Sequence, residues 1–248
     1  DGIRHSVYDK REGVFYLSDT FSLMNFFTSK VNSRTLDEQM INIYRVAYGF
    51  KSYVQYTCPL GLRLSGTPLN ETIIALHQIL PKFRDENKLQ KVQCVILTDG
   101  EAAQMTYHKE VRRHWESKPF LGCGYITQHA VLRDRKLGRT YSFSGIESWS
   151  GVTDQLILNL RDNFKDMNFI GIRILGSRDV SQFVRRYIGY NEEYETVMKK
   201  WRKEKSFSIK KSGYHTYFGL SSSVLDNDIE FEVQEDATKA QIKRAFVK

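Results

Sequence analysis

The chain has 248 residues, of which 41% are hydrophobic, 27% are charged and four are proline; this excludes a disordered or collagen-like polymer and fits one large domain, or one domain with an extension. Cys58, Cys94 and Cys123 are odd in number and lack zinc spacing, so a reduced, cytoplasmic chain without a structural disulfide is expected. The formal charge of +8 permits attraction to nucleic acid or an acidic partner, while no apolar stretch or signal peptide predicts contact with a membrane.

In chain order, residues 14–17 read as a strand, with residues 3–8 as a candidate neighbour. Phe21, Leu23, Met24, Phe26 and Phe27 are too apolar for full exposure and are expected to dock on a sheet. Thr35 with Glu38 has the pattern of a capping box. The helix that follows should turn Met40, Ile43, Tyr44, Val46, Ala47 and Phe50 inward. Residues 53–64 form a loop with Pro59 and Gly61, and Gly66 lets backbone lie close to Thr67.

Residues 64–104 organise the reading. Thr67 can cap a helix that starts near Pro68, a residue suited to the first helical position. Leu69, Ile73, Leu76, Leu80 and Phe83 recur at helical spacing, and Glu71 sits in the first turn, where a carboxylate is favoured. Val92, Cys94, Val95, Ile96 and Leu97 then make an apolar run of the kind that forms a central parallel strand covered on both faces. Asp99 falls just past its carboxyl end, the edge at which ligands collect in open α/β sheets. Two readings stand side by side. Thr67 and Asp99 are a helix cap and a turn, or they are two oxygen ligands for Mg2+ or Mn2+ in one crevice.

Residues 102–127 show no clean period. Their His108 and His114 are six apart, which is not the spacing of a zinc helix, so structural or solvent-facing roles are expected. Residues 129–132 and 139–143 read as two strands of a basic hairpin around residues 134–138, next in the chain to the Asp99 edge. Residues 153–164 read as a helix with Leu156, Ile157, Leu160 and Phe164 as its stripe. A buried strand follows at 168–175. Asp179 can support the start of a helix at 180–188, and another spans 192–202 with Tyr194, Val197, Met198 and Trp201 inward. Residues 207–209 and 214–220 form a hairpin, whose Tyr217, Phe218 and Leu220 complete the sheet as its last strand. Residues 229–233 are strand-like, and Thr238 can cap a final helix.

The segment LSGTPLNE, followed one helix later by VILTDGE, resembles the middle of a von Willebrand factor A domain, especially the bacteriophage-encoded forms. The resemblance covers about residues 1–175. It implies an α/β fold with a three-layer, Rossmann-like sheet, here carrying an inserted β-hairpin within about 102–150 and C-terminal additions. The implied domain spans 1–225, with 226–248 as an extension. In that family a Thr before the third helix and an Asp closing the fourth strand hold a metal, and these match Thr67 and Asp99. The family's first motif, Asp-x-Ser-x-Ser, has no good counterpart. Asp19, Thr20, Phe21 and Ser22 imitate it weakly, because Met24 takes the second hydroxyl position and no glycine is present. The resemblance thus implies a chain that begins after the second strand, with an incomplete site and no tightly held metal.

The implied function is a non-enzymatic protein-binding module of an intracellular phage protein. Its partner would be an AAA+ ATPase or a complementary N-terminal segment, bridged through a Mg2+-type site. Two alternatives remain. Basic charge and the 133–139 hairpin suggest a nucleic-acid- or transcription-associated protein. Glu101 beside Asp99 suggests a metal-dependent hydrolase, although neither His77 nor His108 has an assignable catalytic partner, and HExxH, P-loop and Ser-His-Asp patterns are missing from the sequence.

Overall fold

Periodicity of 3.6 and of 2 sorts the chain into helices and strands, and a computed structural model shows where each lies. It describes residues 9–18, 21–51, 66–144, 150–210 and 212–226. In chain order the elements are α1 (Ser33–Lys51), α2 (Leu69–Asn87), β1 (Val92–Thr98), β2 (Thr106–Val111), β3 (Phe120–Tyr125), β4 (Val131–Asp134) and β5 (Arg139–Ser142). Then come α3 (Ser150–Asn163), β6 (Met167–Leu175), α4 (Val180–Ile188), α5 (Glu192–Glu204), β7 (Ser206–Ile209), β8 (Thr216–Ser221) and α6 (Ser222–Asp226). The expected elements at 3–8, 53–64, 229–233 and after Thr238 lie outside the described residues. The fold is mixed α/β with an open sheet flanked by helices. The chain divides into two compact units, Asp1–Val92 with Glu101–Met167 and Gln93–Gly100 with Asn168–Lys248.

The first unit is built on α2 and α3. Ile73 and Leu80 of α2 are buried, as are Leu156, Ile157 and Leu160 of α3. The stripes predicted for these helices therefore form the core, except that Phe83 remains exposed. The His77 ring meets Phe164 at 5.8 Å. An αL cap at Lys88 ends α2, and Arg84 reaches Asp166 at 3.1 Å. Residues 102–127, which show no period, contain the antiparallel hairpin β2–β3. The glycines of FLGCGY interrupt the alternation that would otherwise announce a strand. Residues 13–16 run along the other edge of β2 through the Gly13, Tyr16 and His108 N–H groups, with Phe15 bridging Tyr107. The β4–β5 hairpin lies where the sequence predicts it, in register from Val131 with Ser142 to Asp134 with Arg139.

Two expectations for this unit are corrected. The cap of α1 is Asn32, whose side chain accepts the Thr35 N–H at 2.9 Å, so Thr35 is not the cap. Met40, Tyr44, Ala47 and Phe50 do not face inward; they are exposed, while Leu36, Gln39, Ile43 and Val46 form the half-buried face. Likewise Leu23, Met24, Phe26 and Phe27 are exposed on an irregular segment and do not dock on a sheet; only Phe21 is half-buried.

Among the described residues the second unit holds a four-stranded sheet in the order β1-β6-β8-β7. Strands β6 and β8 are parallel, with Gly171 opposite Tyr217 and Ile172 opposite Phe218; β7 and β8 are antiparallel. Cross-strand partners share a face. One face carries Phe169, Gly171, Tyr217, Gly219 and Phe207, packed by Phe183 and Tyr187 of α4 and Trp201 of α5. Gly219 is required there, because a Cβ would stand 2.4 Å from the Phe207 ring. Helix α5 starts at Asn191, whose side chain accepts the Tyr194 N–H at 3.1 Å. Asp179 occupies the cap position of α4 but makes no side-chain cap bond.

The positions of two strands differ from expectation. The run in β1 predicts a central strand, but among the described residues β1 ends the sheet. Val92 and Ile96 are buried, while Val95 and Leu97 on the opposite side are 53% and 66% exposed. Among the described residues the last strand in sequence, β8, is an interior one, because its hairpin places β7 outside it.

Candidate functional site

Thr67 sits between a glycine and a helix start. Gly66 has φ +70, a left-handed conformation that favours glycine. Helix α2 begins at Leu69 with Pro68 in the cap position and no side-chain cap bond. Thr67 therefore does not cap the helix with its hydroxyl. Its carbonyl instead accepts the N–H groups of Leu69 at 2.8 Å and of Ala103 at 3.0 Å.

That second bond belongs to a buried polar node that no local sequence pattern announces. Asn70 is 1% exposed. Its Nδ2 donates to the Ala103 carbonyl at 3.4 Å, and its Oδ1 accepts the Thr153 hydroxyl at 2.7 Å. The node ties the segment after Gly100 to the first turns of both α2 and α3. A polar residue directly beside the apolar Leu69 is the one signal that hinted at it. At the next position, Glu71 Oε2 is buried and has no hydrogen-bond partner among the described residues. Burial raises the Glu71 carboxyl above its ordinary value, and a bond from its own backbone N–H opposes that rise.

Asp99 belongs to the other unit, just past β1. The turn there is tied by Thr98, whose hydroxyl donates to the Gly100 carbonyl at 2.8 Å and accepts the Gly100 N–H at 3.1 Å. The Asp99 side chain is exposed and plays no part in those bonds. Thr67 carries one neutral hydroxyl oxygen, and Asp99 carries the two oxygens of a carboxylate. A hard divalent cation takes roughly six. Among the described residues no group of three or more His, Cys, Asp or Glu side chains is placed to hold a metal. One hydroxyl and one carboxylate leave most of the coordination shell of a Mg2+ or Mn2+ ion to other ligands.

The basic hairpin is fastened to the C-terminal half of α3. Asp134 Oδ2 accepts Asn159 Nδ2 at 2.6 Å and Asn163 Nδ2 at 2.7 Å, and Asp134 Oδ1 accepts the Leu137 N–H at 2.9 Å. Burial opposes ionisation of Asp134, yet these donors hold it at about 2. Asp162 accepts the Tyr141 hydroxyl and pairs with Arg139, each at 2.7 Å. Arg133 donates to Thr140 at 2.7 Å. Two of the hairpin's arginines are thus engaged within the fold. Asn159 and Asn163 lie about 1.7 and 2.8 turns along α3 from Thr153.

His77 lies half-buried between the two helices; burial lowers its pKa, Lys136 adds to that and Asp134 opposes it. His108 is buried and its ring meets Tyr16 edge-on at 5.2 Å, a structural role. His114 is exposed against Trp115.

Comparison with protein-family models, with curated proteins and with solved structures returns no match in any of the three. Among the described residues, no helix is long and apolar enough to cross a membrane.

Proposed function

We propose that this chain is a non-enzymatic protein-binding module that takes a strand of its partner along the open edge of β1. The observation that carries the reading is the placement of β1 at the end of the sheet among the described residues, with Val95 and Leu97 more than half exposed. Strands of this composition are ordinarily covered on both faces. An edge strand also presents a row of backbone N–H and C=O groups, and pairing with a partner's strand satisfies them while side chains beside it are covered. Burying two such side chains contributes about 1.5–3 kcal/mol each.

The resemblance to von Willebrand factor A domains names the partner to test first, an AAA+ ATPase, with a complementary segment on a second chain as the next. The test combines affinity with amide hydrogen exchange, using the parent chain and a Val95→Lys/Leu97→Lys double variant whose circular dichroism matches the parent's. The expected result is slower exchange over residues 93–98 on adding the partner, and at least about a tenfold affinity loss in the variant. Partner binding that leaves these amides unprotected and is equal in both proteins would sink the reading.

A further inference from the structure

The β2–β3 ribbon carries a surface that the protein-binding reading does not use. Its stretch from Thr106 to Tyr125 holds four cations, Lys109, Arg112, Arg113 and Lys118, against two carboxylates, Glu110 and Glu116. Lys109, Arg112 and Lys118 are exposed and make no ion pair among the described residues. Arg113 alone is paired, with Glu116 at 3.6 Å.

Aromatic rings stand among these charges. Trp115 is 66% exposed in the turn that joins the strands. The His114 ring meets it edge-on at 4.4 Å. The Arg113 guanidinium lies 5.7 Å from the Trp115 ring and 4.7 Å from the Phe120 ring. The ribbon's register places Tyr107, Lys109, Val111 and Phe120 on one face, with Gly122 and Gly124 opposite Lys109 and Tyr107. Those glycines keep the face flat: a Cβ at Gly124 would stand 2.9 Å from the Tyr107 ring, and one at Gly122 would stand 3.0 Å from Val111. Exposed cations beside an open indole match a ligand that carries both negative charge and flat rings. A polyanion with flat, stackable bases has both.

We propose that the β2–β3 ribbon docks single-stranded nucleic acid, with a base stacked on the open Trp115 ring, held beside Arg113, and phosphates met by Lys109, Arg112 and Lys118. The sequence by itself points to the 133–139 hairpin instead. There Arg139 is paired with Asp162, and Arg133 is bonded to Thr140.

Fluorescently labelled oligothymidine and oligouridine of roughly 12 nucleotides, each with its duplex as control, test this by anisotropy across a salt series on the full chain. The parent is expected to bind a single strand more tightly than the duplex. Removal of one stacking ring by Trp115→Ala should weaken binding by roughly 5–150-fold. The Lys109→Glu/Arg112→Glu/Lys118→Glu variant should lower the slope of log affinity against log salt by about 2, three phosphate contacts at about 0.7 each. All these side chains are exposed, so circular dichroism is expected to match the parent's. Equal binding by parent and Trp115→Ala overturns the proposal, as does the lack of saturable binding to either single strand at low salt.

Discussion

The Thr153 hydroxyl donates to Asn70 Oδ1 at 2.7 Å, joining the first turns of α3 and α2 inside the first unit. The same Asn70 reaches the Ala103 carbonyl. One buried amide thus positions two helix starts and the segment that follows Gly100. Removing it leaves a hydroxyl and a carbonyl without their partner, and an unsatisfied buried group costs the full desolvation of that group.

Asn70→Ala is therefore expected to destabilise the chain by about 2–3 kcal/mol, and Thr153→Val by about 1–2 kcal/mol. The double variant should fall short of their sum by about 1 kcal/mol, since both act on one bond. Urea denaturation midpoints at constant slope measure all three. Additive losses would show that the two residues act independently.

Glu71 has the opposite character. Its carboxyl is raised by burial, so folding favours the protonated form, and stability falls as pH rises above the ordinary carboxyl value of 4.5. Glu71→Gln is expected to stabilise the protein at neutral pH by no more than about 1 kcal/mol, because the side chain is partly solvated. The gain should vanish below about pH 4.5, where the parent's carboxyl is itself protonated in the unfolded chain. Thermal melts of both proteins at neutral and acidic pH check the sign.

Asp134 titrates the other way. Held at about 2 against an ordinary 3.8, it contributes stability that is present above about pH 4 and lost as pH falls towards 2. Solvent screening limits this to about 1 kcal/mol. Parent and Asp134→Ala should therefore differ in stability at neutral pH and converge in strong acid. Loss of protection at the β4 and β5 amides in the variant would place the effect at the hairpin's attachment to α3.

The two described cysteines should separate by reactivity. Burial pushes the Cys94 thiol up to about 11, so little thiolate is present at pH 8, whereas Cys123 is exposed on β3. In a Cys58→Ser background, a thiol-directed reagent is expected to modify Cys123 in the native protein and Cys94 only after denaturation. Mass spectrometry of the labelled peptides reads the order, and equal rates would contradict the burial of Cys94.

Local sequence determined much of this protein. The stripes of α2, α3 and α5, the run of β6 and the β4–β5 and β7–β8 hairpins were legible because each signal lies within one element, in its period or its turn. Other features were decided only by neighbours far along the chain. An apolar run such as Val92 to Leu97 specifies a strand but not whether another strand pairs on both of its sides, so β1 reads as central and stands at an edge. The apolar residues of α1 have a period, yet what they meet depends on other segments, and Met40, Tyr44 and Phe50 remain exposed. Asn70 was invisible as a structural centre because its partners, Ala103 and Thr153, are 33 and 83 residues away. The same holds for the candidate surfaces. Thr67 and Asp99 stand out by spacing, but tertiary structure turns the Thr67 carbonyl to Ala103 and leaves the Asp99 carboxylate exposed; it also opens β1 and gathers Arg113, Trp115 and Phe120 at one end of a ribbon whose glycines had hidden it. Period and turn chemistry are properties of adjacent residues, whereas edge, burial and charge compensation are properties of whatever the folded chain brings alongside them.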